Sequence, residues 1–77
     1  MSYKTTLLKE TKNIISIIKS EILEIIKTNE NILAFDNLDE FDLKRVEENF
    51  KRIEQKENEI KYYNQELQEV LKMDNAA

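Results

Sequence analysis

One stretch decides most of what this chain can become. From Leu7 to Leu33 it reads LLKETKNIISIIKSEILEIIKTNENIL, with no Gly or Pro to interrupt it. At 100° per residue, Leu7, Leu8, Ile14, Ile15, Ile18, Ile22, Ile25, Ile26, Ile32 and Leu33 fall within roughly one third of a helix circumference. A stripe that wide must be covered by another surface. Its central positions, Leu8, Thr11, Ile15, Ile18, Ile22, Ile25, Asn29 and Ile32, alternate in steps of three and four, the spacing of a coiled-coil seam.

The remainder of the chain supplies one covering element. A cluster of turn-forming residues, Asp36, Asn37 and Asp39, closes the first helix, with Asn37 able to adopt the left-handed conformation that Gly would otherwise supply. Asp39 with Asp42, or Asn37 with Glu40, can cap a second helix, and Leu38 and Leu43 are spaced as a hydrophobic staple. The acidic residues also sit where that helix presents its positive dipole end, which argues against one continuous rod through the turn. The second helix repeats on Leu43, Val46, Phe50, Ile53, Glu57, Ile60, Asn64, Leu67 and Leu71, a narrower stripe with two polar interruptions.

The expected fold is therefore all-α: an antiparallel two-helix coiled-coil hairpin, assembling into a four-helix bundle. Residues 1–77 form a single hairpin, with helix one over about 3–34, a turn at about 35–39, helix two over about 39–72 and a frayed tail at 73–77. Pairing residues whose numbers sum to 75 brings the two seams together throughout. It sets Asn29 beside Val46, Ile18 beside Glu57, and Thr11 beside Asn64, where a hydroxyl would partner a buried amide.

The mismatch between the stripes points to function. Leu7, Ile14, Ile17, Leu23, Ile26 and Leu33 flank the first seam, and the facing helix adds only Tyr63 and Val70 as further apolar cover. Small chains of this size generally add disulfides, a metal or a partner. With no Cys and no His, disulfides are impossible and the commonest metal ligands are missing. A partner is what remains, either a second copy or another helical protein.

Other classes are disfavoured residue by residue. No His, Cys or Trp, no Gly-rich phosphate loop and no Ser beside a base are present, so no enzymatic role, cofactor or small-molecule ligand is expected. Lys44, Arg45, Lys51 and Arg52 recur at seven-residue spacing and suggest a phosphate-contacting stripe, the alternative function being a dimeric regulator of nucleic acid. Glu47 and Glu48 interleave with them at ion-pair spacing, and the net charge of −4 opposes nucleic-acid binding. A calcium loop at Asp36 to Asp42 lacks the required Gly and distal Glu.

A membrane-surface role is disfavoured because the polar face of helix one mixes Glu10, Glu21, Glu24 and Glu30 with its lysines. The first residues lack a basic start followed by an apolar run, so the expected setting is intracellular and soluble, in the cytoplasm. Asn29, central in the stripe, reads either as a register-fixing polar residue or as a bundle-end residue reaching water or a carbonyl; the second is the expectation. Glu57 is expected to escape to solvent or to a nearby lysine. Tyr63 flanks the seam, and Tyr62 points outward.

Overall fold

A computed structural model describes residues 2–73 and contains two helices, α1 (Tyr3–Leu33) and α2 (Glu40–Leu71), packed against each other with no strand among the described residues. Of the expected tail, residues 74–77 lie outside the described part. Ser2 caps α1, its hydroxyl accepting from the Thr5 backbone N–H at 3.2 Å, and the Ala34 N–H closes the other end on the Glu30 carbonyl at 3.0 Å.

The reversal between the helices corrects one expectation. No described residue has a positive φ, Asn37 included. Six residues separate Leu33 from Glu40, enough chain to turn back without the left-handed conformation, which costs a residue with a Cβ roughly 1–2 kcal/mol. Asp39 then starts α2 with a reciprocal cap: its carboxylate accepts from the Asp42 N–H at 2.8 Å, and the Asp42 carboxylate accepts from the Asp39 N–H at 3.4 Å.

The helices run antiparallel. Lys4 Nζ reaches the Leu71 and Met73 carbonyls at 3.4 and 3.3 Å, Lys56 Nζ reaches Glu21 Oε2 at 3.2 Å, and Asn29 reaches Val46 and Asn49. The expected register, numbers summing to 75, holds at Asn29 with Val46; Glu21 with Lys56 and Asn29 with Asn49 depart from it by two and three residues.

In α1 the seam follows the expected heptad: Ile15, Ile18, Ile25, Asn29 and Ile32 are buried, and Leu8, Thr11 and Ile22 are half-buried. In α2 it does not. The residues turned inward at seam spacing are Asp42, Val46, Asn49, Ile53, Lys56, Ile60, Tyr63, Leu67 and Val70, with Glu66 half-buried beside them, whereas Leu43, Phe50, Glu57, Asn64 and Leu71 are exposed. The two sets share Val46, Ile53, Ile60 and Leu67, so the helix is rotated by roughly 50° from the expected facing, half the step between neighbouring residues.

The chemistry explains the choice. The expected facing would desolvate the Glu57 carboxylate and the Asn64 amide in the seam, at several kcal/mol for an unpaired carboxylate. The observed facing replaces them with the Lys56 stem, whose ammonium pairs with Glu21, and the ring of Tyr63. Phe50 and Leu71 are left in water as the consequence.

The result is long and thin, 62 × 17 × 11 Å, with a radius of gyration of 17.9 Å; a compact domain of this length would have one of about 11–12 Å. Accessible surface amounts to 6375 Å² for 9.2 kDa, where an ordinary globular monomer of that mass exposes about 4,900 Å². No large side chain among the described residues is fully buried.

Candidate interaction surface

Because the helices are antiparallel, the residues just after Ile18, Ile25 and Ile32 share one side of the seam with those just after Asp42, Asn49 and Lys56. That side presents Lys19, Ile26 and Leu33 from α1, and Leu43, Phe50 and Glu57 from α2. Leu23 adjoins it one position further round. The residues just before Ile15, Ile22 and Asn29, namely Ile14, Glu21 and Thr28, share the other side with Arg45, Arg52 and Glu59.

The six apolar residues singled out from the sequence therefore divide. Leu23, Ile26 and Leu33 lie on the first side, toward the turn, where Leu43 and Phe50 join them; Leu23 is 62%, Ile26 37% and Phe50 57% exposed. Leu7, Ile14 and Ile17 lie on the second side, toward the chain termini, with Leu7 half-buried and Ile17 59% exposed. Five large apolar residues converging in the half nearest the turn make a patch of the kind that soluble monomers rarely leave in water.

The polar positions part company too. Asn29 is 4% exposed, its amide donating to the Val46 carbonyl at 3.4 Å and its Oδ1 accepting from Asn49 Nδ2 at 2.8 Å. It does engage a carbonyl, but it sits well inside the seam and away from water. Thr11 and Asn64 do not form the expected pair: Asn64 is exposed because Tyr63 holds the seam position, and no hydrogen bond joins the two. Asn49 is the residue that sequence reasoning passed over. Its signal was present, since Val46, Asn49, Ile53 and Lys56 also step by three and four, and that alternative sets an amide on each helix at one level.

On the second side an open groove of about 250 Å³ is lined by Glu21, Glu24, Ile25, Thr28, Asn49, Arg52 and Lys56. Its two carboxylates face two cations, so the charges balance within the groove. Lys44, Arg45, Lys51 and Arg52 are all exposed, with Lys51 3.9 Å from Glu47. Tyr62 lies one turn before Glu66, whose negative charge chiefly raises the pKa of its phenol. No cluster of potential metal ligands occurs among the described residues, and no described helix is long and apolar enough to cross a membrane.

Comparison with protein-family models, curated proteins and solved structures finds no match for this chain. The surface alone carries the functional reading.

Proposed function

We infer that this chain is a non-enzymatic protein–protein interaction module, an adaptor, regulator or assembly subunit, in which α1 presents apolar surface to a second helical hairpin. The observation that supports it is the exposure of Leu23, Ile26, Leu33, Leu43 and Phe50 together on one side of the seam. Burying that surface yields hydrophobic free energy that a 77-residue hairpin cannot recover alone. An aromatic residue set among aliphatic ones, with charges at the margin, has the make-up of an interface centre and rim. A Cys-free, charge-rich chain suits an intracellular, soluble setting.

Sedimentation equilibrium across micromolar concentrations tests the reading. Self-association is expected, and Ile26→Asp is expected to weaken it by tenfold or more, because an interface would then have to bury an unpaired carboxylate. A monomer at every concentration, with Ile26→Asp and Ile14→Asp leaving the melting curve unchanged, would remove the basis of the proposal.

A further inference from the structure

Resting on that reading, we propose that the occupant of the turn-end patch is a second copy of this chain, docked about a two-fold axis parallel to the helices so that both turns lie at the same end of a four-helix bundle. Surface area speaks for a full-size partner. The chain exposes roughly 1,400 Å² more than a compact monomer of its mass, whereas a standard interface takes about 800 Å² from each side.

Charge and register then choose the orientation. On the patch side, Lys19 of α1 and Glu57 of α2 lie level with each other near mid-length, both exposed, and neither makes an ion pair within 4 Å among the described residues. A two-fold axis along the bundle sets α1 of one copy over α2 of the other at matching levels. Ile26 then meets Phe50 of the second copy, Leu33 meets Leu43, and Lys19 meets Glu57, giving a ring of four charges of alternating sign.

The opposite arrangement, with turns at opposite ends, sets α1 over α1 and α2 over α2. Lys19 would then lie against its own copy and Glu57 against its own copy close to the dyad, while Ile26 and Phe50 would face the polar half of the partner. Like charges at the centre and apolar residues against polar ones both oppose it.

The chain has no Cys, so Asn37→Cys in the exposed turn gives a single site for a spin label. In the dimer the two labels are expected about 30 Å apart or less, since packed helices lie 8–10 Å apart; turns at opposite ends would separate them by nearly the 62 Å length of the hairpin. Lys19→Glu is expected to raise the dimer Kd about tenfold, two symmetric pairs being lost together, and adding Glu57→Lys to restore it. Both positions are exposed, and circular dichroism confirms that the variants remain helical.

A dimer with a long label distance and indifference to Lys19→Glu overturns the orientation while leaving self-association standing. A monomer throughout overturns both.

Discussion

Asn29 is the most buried of the described residues, at 4% exposure, and it is polar. Its two hydrogen bonds cross the hairpin and reach both the backbone and a side chain of α2, so a slip of register breaks both at once. Asn29→Ala is expected to cost about 1–3 kcal/mol, because the Asn49 amide and the Val46 carbonyl lose their partner in a dry seam. Asn29→Leu combined with Asn49→Leu is expected to recover most of that, with coupling between the sites visible in a double-mutant cycle followed by urea denaturation. Additive single effects would mean that the amide pair contributes nothing specific.

Tyr62 carries the pH prediction at the same scale. Its phenol holds its proton more tightly in the folded chain than in the unfolded one, chiefly through Glu66. The stability linked to the neutral phenol is therefore complete below the ordinary tyrosine pKa of about 10 and declines as pH rises through it. In an NMR titration the Tyr62 midpoint should lie above the ordinary tyrosine value, and Glu66→Gln should bring it down. An unmoved midpoint would assign the shift to something other than that carboxylate.

At the scale of the element, the two helices differ in how firmly they are held. α1 buries five residues along its length, whereas α2 buries Val46 alone and otherwise offers half-buried positions. Secondary structure in α2 thus depends more on its cap. Asp39→Ala removes the acceptor for the Asp42 N–H and half of the reciprocal cap, at an expected cost of about 1 kcal/mol. Hydrogen exchange should show the effect concentrated in the first turn of α2, with α1 amides at the chain start unaffected; uniform loss of protection would mean that cap and fold fail together.

Legibility differed between the elements for the same reason. The α1 seam could be read because isoleucine marks five of its eight inward positions and no other three-and-four repeat is as apolar. The α2 pattern admitted two readings that share Val46, Ile53, Ile60 and Leu67. Counting apolar residues preferred Phe50 and Leu71 to Asn49 and Lys56. The folded hairpin prefers the second set, because Asn49 satisfies Asn29 and Lys56 satisfies Glu21, interactions that no single-helix pattern contains.

Over the whole molecule, the consequence is a thin rod with surface to spare. Stability that depends on association depends on concentration, so the melting temperature is expected to rise with each tenfold increase in protein and to fall for Phe50→Ser, with the dependence flattened. Differential scanning calorimetry over two decades of concentration measures it, and a melting temperature independent of concentration would describe a self-sufficient monomer.

The amino-acid order alone settled that the chain is helical, where it turns and which face of α1 looks inward, and it narrowed the cap of α2 to Asp39 with Asp42 or Asn37 with Glu40, because each follows from interactions within a few residues of one another. Which face of α2 meets it, and so which residues form the exposed apolar patch, was decided only by tertiary structure. A rotation of half a residue about a helix axis leaves every local interaction unchanged, and only the partners across the seam give it a preferred angle.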